Sequence, residues 1–314
     1  MKLGSVLLAL VIAGSTAGAQ QVAEAPHVAG CEEYAPGDFI TPHISDSHCI
    51  DVPGFPRFWE VHEVVLPRWT PVHIGGATID LSPTKHLVFL LLAAVLISLI
   101  LIGAARAHQN HTHEVGRPKG FASGIEAMVL YIRNEVAIPN LGPHGEGYAP
   151  YILALFFFIL TLNLIGLVPF GSTATGNISV TATLAIITFI VVETAGIRAN
   201  GLGYLSTIFY WNKDLPVLMR VPMFVLMTPI EIVGKFTKPF ALAIRLFANM
   251  TAGHIVVLAL IGLVFAFKSY ALGAAPLAAA VGIMMLELFV SFLQAFIFSL
   301  LASVFIGQMR EGHH

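Results

Sequence analysis

The stretch ALAIRLFANMTAGH, residues 241–254, carries a permanent cation inside an apolar run. An arginine at bilayer depth costs about 2.5–3.5 kcal/mol on insertion scales, so the charge of Arg245 needs a use. Asn249, four residues on, shares its helix face, and Lys238 and Glu231, seven and fourteen residues earlier, fall near the same stripe. Small Ala241, Ala248 and Ala252 beside them permit close approach of another helix. His254 lies nine residues past Arg245, and nine steps of about 100° turn it to the opposite side. A second apolar stretch holds Glu287 and Gln294, seven apart on one face. If the two stretches form an antiparallel hairpin turning near residues 268–273, His254 and Glu287 lie about equally far from the turn and meet at one depth. The same count sets Gln294 at the level of Arg245. Two ionisable groups at one depth and an arginine–amide pair at another look like a path built for protons.

Plainer readings exist for the other polar residues. Lys235 and Lys238 can snorkel or line a polar interface. Glu231 either pairs with Lys235, four residues on, or lines a channel. Glu193, five residues before Arg198, reads as a helix end at the interface, and Asn163 as an interhelical hydrogen bond. A salt bridge inside the chain would explain Arg245 only with a carboxylate at its depth, and no other spanning segment supplies an obvious one. His108, His111 and His113 sit in a basic loop with no carboxylate or cysteine placed to complete a metal site. No GxxxxGK[ST] phosphate loop is present in this chain, and no cofactor is expected.

The elements that position these groups follow from composition. The chain has 314 residues, 56% hydrophobic and 11% charged, against about 25% charged in soluble domains. It reads as an all-α integral membrane protein, and its net charge of −2 offers no basic surface for nucleic acid. Residues 1–19 resemble a cleaved signal peptide: Lys2, an apolar core too short to span, then small residues. Residues 20–80 are polar and read as an exported extension, in which FWEVHEVVLPRW suggests a short element at the membrane surface. Its Cys31 and Cys49 are equally compatible with a disulfide and with two free thiols.

Residues 81–314 form the membrane domain. Leu87 to Ala105 is long enough to span, and the loop after it, with Arg106, Arg117 and Lys119, lies in the cytoplasm by the positive-inside rule. Phe121, Ile125, Met128, Val129, Ile132 and Val136 recur at helical spacing in a segment too charged to span comfortably, hence a surface helix. Further spans run from about Tyr148 to Phe170 and through ISVTATLAIITFIVVETAGI. Two long stretches, about Pro216 to Phe265 and Ala274 to Gln308, exceed one straight crossing and predict a tilted hairpin. That makes about five spanning helices with the N-terminus exported and the C-terminus cytoplasmic. No internal repeat suggests an inverted-repeat transporter.

Four segments, YIRNEVAIPNLG, FFFILTLNLIGLVP, ALAIRLFANMTAGH and LELFVSFLQAFIFSLL, make the chain similar to subunit a of F-type ATP synthases over about Leu81 to Met309. The resemblance implies a membrane stator beside a rotating c-ring, held by peripheral-stalk b subunits and coupled indirectly to the catalytic sector. It implies that Arg245 is the family's essential arginine, with Asn249 and Gln294 as polar neighbours. His254 and Glu287 match its acid–imidazole pair, in the reverse of the order many bacterial members show. Glu231 matches a polar position of the cytoplasmic half-channel. Gly166 replaces an acid found in some members, so no role transfers there. The family setting is a bacterial inner membrane, with an organelle as the less favoured site. Competing expectations are a sodium-carrying version and a stand-alone transporter using Arg245 for an anionic substrate.

Overall fold

The computed structural model describes residues 40–53, 61–70, 72–74, 77–80, 82–109, 120–168, 171–204, 216–267 and 270–311. The expected signal segment, Cys31, His111 and His113 lie outside these residues, whereas His108 falls in the last turn of the first spanning helix rather than in a loop. Among them, five helices are long and apolar enough to cross a membrane, as the sequence predicts.

The extension begins with a one-turn helix α1 (Thr41–Ile44) and then turns to strands. β1 (Cys49–Pro53) pairs antiparallel with β2 (Val61–Val65), and β3 (Val72–Ile74) with β4 (Ala77–Ile79). β-branched residues recur in all four, which suits a pleated surface. The short element expected within FWEVHEVVLPRW is strand β2. Cys49 is disulfide-bonded, which decides between the two readings of the cysteines.

Helix α2 (Lys85–Gln109) is the peripheral span: Leu91, Val95 and Leu99 stay exposed, the pattern of a lipid-facing helix. The expected surface helix is interrupted. α3 (Phe121–Tyr131) buries none of its residues; a wider π-helical turn at Ile132–Ala137 follows, then α4 (Ile138–Leu141). The widening rotates Ile132 and Val136 into the core. It also frees the Val136 carbonyl, which accepts from Asn140 Nδ2 at 2.7 Å and from Ser303 Oγ at 3.4 Å. The apolar face thereby docks under the bundle.

Helices α5 (Ala149–Gly166) and α6 (Ile178–Asn200) are the second and third spans. Asn177 caps α6 by accepting the Ser179 N–H at 2.8 Å. α7 (Val217–Phe267) and α8 (Tyr270–Glu311) are single helices of 51 and 42 residues. At about 1.5 Å per residue they reach about 77 and 63 Å, more than twice a roughly 30 Å hydrocarbon core, so neither fits within it as one upright crossing. α7 runs on through Pro222, Pro229 and Pro239. α8 is the central packing element, contacting α5, α6 and α7. Ser291, Ala295, Ser299, Ala302, Ser303 and Ile306 form its buried stripe, and the small side chains let neighbouring backbones come close. At Gly307 an added Cβ would strike the Asn140 carbonyl. Arg310 then locks the end of α8, donating to the Leu141 and Pro143 carbonyls at 3.0 and 3.1 Å.

Candidate functional site

The hairpin of α7 and α8 brings His254 and Glu287 together, as the count from the turn requires. His254 Nδ1 lies 2.7 Å from Glu287 Oε1, and their side chains are 17% and 5% exposed. On the other side of the ring, Nε2 lies 2.9 Å from the Gly166 carbonyl and 2.5 Å from Thr173 Oγ1. A carbonyl can only accept, so this geometry places a proton on Nε2. One further proton then belongs to the Nδ1–Oε1 contact, held either as imidazolium with carboxylate or as imidazole with carboxylic acid. A short contact of this kind suits transfer in both directions.

Two glycines make the pair possible, and neither stands out in the sequence. A Cβ on Gly253 would sit 2.5 Å from Glu287 Oε1 and 2.8 Å from its Cδ, so only a bare Cα lets the carboxylate reach the ring. Gly166 presses on Thr173 in the same way while its carbonyl receives the imidazole. The backbone at Gly166 therefore has a place in the site although its missing acid does not. The signal is GH at 253–254, a helical glycine immediately before the ring it must clear.

Below the pair lies a buried hydrogen-bond chain. Thr175 Oγ1 donates to Asn163 Oδ1 at 2.9 Å, and Asn163 Nδ2 donates to the Ser291 carbonyl at 3.4 Å. Asn163 is fully buried and is the interhelical link its sequence position suggested. It ties α5, the turn at Ala174–Gly176 and α8 into one frame around Glu287.

Arg245 faces the other way. It and Asn249 are exposed, in a stripe with Phe240, Ile244, Ala248, Ala252 and Ile255. No ion pair or hydrogen bond joins Arg245 to another described residue. Gln294 is buried on α8, so the expected arginine–amide pair does not form a hydrogen bond here. The register puts the two at similar depth, but the helices pack with Arg245 turned outward.

Farther down α7 the structure changes the expected partners. Lys235 does not pair with Glu231. Its Nζ lies 3.5 Å from Glu193 Oε1 and donates to the Tyr204 hydroxyl at 2.6 Å, while that hydroxyl donates to Glu193 Oε2. Glu193 is thus more than a helix end. Its sequence distance from Lys235 hid the contact, because only the tertiary packing of α6 on α7 creates it. Lys238 stands over the Phe305 ring at 5.0 Å, a cation–π contact. Glu193, Lys235, Lys238 and Phe305 line a small, mostly apolar cleft, and Glu231 is half-buried one turn before Lys235.

The sequence model of the family described as "ATP synthase A chain" matches residues 87–307, more than two thirds of the chain. The chain belongs to that family. A relative from Chloroherpeton thalassium named "ATP synthase subunit a" is 46% identical over 266 residues, covering 84% of this chain and 74% of its own. One from Chlorobaculum tepidum named "ATP synthase subunit a 2" is 43% identical over 309 residues, covering 97% and 82%. A more distant one from Anaeromyxobacter sp., also named "ATP synthase subunit a", is 39% identical over 298 residues, covering 88% and 71%. The chain is thus a membrane component of the F-type ATP synthase, serving ATP synthesis and ion transport as part of that complex rather than as a catalyst alone. These relatives are bacterial, and the five spans agree with an integral membrane subunit.

Proposed function

We propose that this subunit a is the proton-translocating stator of the membrane sector, offering two offset half-channels to a c-ring whose hairpins each carry a membrane-embedded carboxylate. Peripheral-stalk b subunits hold it still. Residues 20–80 lie on the exported side, after a signal segment at residues 1–19, and the C-terminus is cytoplasmic in a bacterial inner membrane. The observation that carries the reading is the division of labour on α7: His254, paired with the buried Glu287 of α8, on one face, and on another an exposed Arg245 with no counter-charge among the described residues.

A proton reaches the His254–Glu287 pair from the exported side and neutralises a ring carboxylate, which then tolerates a lipid-facing position. After nearly a full turn that carboxylate meets the second half-channel, on the side of Glu231. Arg245 draws out the anion and favours proton release. A guanidinium stays charged under protein conditions, so Arg245 blocks a direct proton shortcut instead of relaying. Asn249 lies in the same exposed stripe and meets the ring with it, while Gln294 contributes a buried amide at that depth. Protons are favoured over sodium because the imidazole supplies a titratable nitrogen where a sodium site would need oxygen ligands. Each proton crossing 100 mV releases about 2.3 kcal/mol, so several are coupled to each ATP.

The test is Arg245→Ala in the intact complex. We expect normal assembly with loss of ATP-driven proton pumping and of ATP synthesis. Pumping that persists in the assembled variant would remove Arg245 from the mechanism.

A further inference from the structure

The exported extension reaches the His254 site. Ile44, at the end of α1, lines a small cavity with Thr173, Gly176, Met250, Thr251 and His254. The cavity has room for about one water at a time. It offers that water polar partners: Thr173 Oγ1 contacts His254 Nε2, and Thr251 Oγ1 donates to the Gly176 carbonyl at 3.3 Å.

Two of the cavity's lining residues, Ile44 and Gly176, are close in sequence to members of one titratable cluster. Asp46 follows Ile44 by two residues, and Asn177 follows Gly176 directly. Asn177 Nδ2 lies 3.1 Å from Asp46 Oδ2 and 3.1 Å from His86 Nδ1. His86 Nδ1 is in turn 3.1 Å from Asp46 Oδ1. The amide cannot be turned round, because Asn177 Oδ1 is held by the Ser179 N–H as the cap of α6. His86 Nδ1 therefore has a partner in either state. Protonated, it donates to Asp46; bare, it accepts an N–H of Asn177. A proton can come and go without leaving a buried polar atom unsatisfied. Exposure completes the arrangement, since the Asp46 side chain is 30% exposed and that of His86 only 3%.

We propose that Asp46, His86 and Asn177 form an outer proton-collecting station that feeds His254 through the Ile44 cavity, a role that rests on reading His254 and Glu287 as the exported-side uptake pair. Asp46 is the acceptor facing solvent, His86 the inner carrier, and Asn177 the positioning residue. Only protons move: Asp46 takes one from bulk water and passes it to His86 Nδ1, and the imidazolium releases one to a water in the cavity. That water refills the Nδ1–Oε1 contact of His254 and Glu287 after the pair has passed its own proton to the ring, while His254 Nε2 keeps the proton it donates to the Gly166 carbonyl. The extension becomes a built mouth for the half-channel.

A collecting station differs from a structural clamp in one measurable way: a mobile buffer can replace it. Intact complexes in lipid vesicles are driven by a potassium diffusion potential, and proton flux from the exported side is read at low and high phosphate buffer. For Asp46→Asn we expect flux at low buffer to fall by about tenfold, less than the roughly hundredfold of a group at a reacting centre because bulk water partly substitutes. High buffer should restore it. Unchanged flux at low buffer overturns the proposal, and so does a loss that buffer does not repair, which marks a clamp only. Ile44→Cys gives a second test if Asp46→Asn does not assemble. A charged, membrane-impermeant thiol reagent added from the exported side should then block flux, and full labelling without block refutes the route. Glu287→Gln separates the two levels. If it leaves flux intact, the uptake-pair reading fails. If it abolishes flux while the Asp46 and Ile44 variants do nothing, only the outer station fails.

Discussion

Adding one methyl group at Gly253 should disable the acid–imidazole pair without touching either member. The new Cβ would lie 2.5 Å from Glu287 Oε1, 2.8 Å from Cδ and 2.9 Å from Cγ. All three are nearer than real Cβ atoms come, and the whole carboxyl group is involved, so rotating one oxygen away is no remedy. Ordinary contact begins near 3.4 Å, so Oε1 must retreat by about 0.9 Å. Added along the 2.7 Å link to His254 Nδ1, that retreat stretches it to about 3.6 Å, beyond hydrogen-bond range. A hydrogen bond to a charged group contributes about 1.5–3 kcal/mol net. Lost at a rate-limiting proton transfer, it slows the step roughly ten- to hundredfold. The assay is ATP-driven proton pumping in membrane vesicles, normalised to assembled complex. Gly234→Ala in the same helix and Gly282→Ala in α8 are the controls, because a Cβ at either meets nothing within 4 Å. Wild-type pumping by an assembled Gly253→Ala complex would show that the short contact does not limit transfer.

Exchanging His254 and Glu287 should recover part of the pumping lost on replacing Glu287 alone, since the pair needs both groups and not a fixed order; an exchange no better than the single change would deny that they act as a pair. Lys235→Met should lower the thermal stability of the solubilised complex by about 3–5 kcal/mol, the cost of leaving one partner of a buried ion pair alone, and adding Glu193→Gln should return most of it. Partial burial pushes the Asp46 carboxyl up, yet the hydrogen bond and charge of His86 outweigh it and hold the carboxyl below its ordinary 3.8. A depressed carboxylate stabilises the docked extension fully above that value and loses the contribution as pH falls through the lower folded one. Protease protection of the 40–53 segment should therefore be unchanged from pH 7 to 5 and weaken below about pH 3.8.

Periodicity and length made the spans legible, because a bilayer admits few backbone solutions and apolar runs report them directly. The His254–Glu287 contact was legible for a related reason: a hairpin of two straight helices reduces depth to counting. Arg245 and Gln294 show where counting stops. Depth is set by residue number, but facing is set by how each helix rolls on its neighbours, and α8 rolls to bury its small-residue stripe with Gln294. The Glu193–Tyr204–Lys235 cluster was illegible because Lys235 stands on a different helix, 31 residues past Tyr204, and only packing brings it to the other two. The π-helical turn at Ile132–Ala137 was hidden too, since a 3.6-residue pattern does not announce a single wider turn.

The outward stance of Arg245 sharpens the argument for a partner. A guanidinium left against hydrocarbon carries the insertion cost already noted, and its usual remedies are a carboxylate, backbone carbonyls or water reached by snorkelling. Among the described residues α7 provides no counter-charge at this position, and the exposed neighbours Phe240, Ile244 and Ile255 are apolar. Small Ala248 and Ala252 line the same stripe, where a second helix can come close. On α8, Met285 and Phe289 near Glu287 are exposed as well. A surface that is apolar, smooth and interrupted by one fixed cation is poorly suited to lipid and well suited to a passing series of helices that each bring one anion. Such a surface must not bind the anion too tightly, or the series would stop. On the proposed reading, exposure serves that need: with Arg245 unpinned by any partner among the described residues, the attraction it would offer is long-ranged and adjustable, strong enough to favour ionisation and weak enough to release.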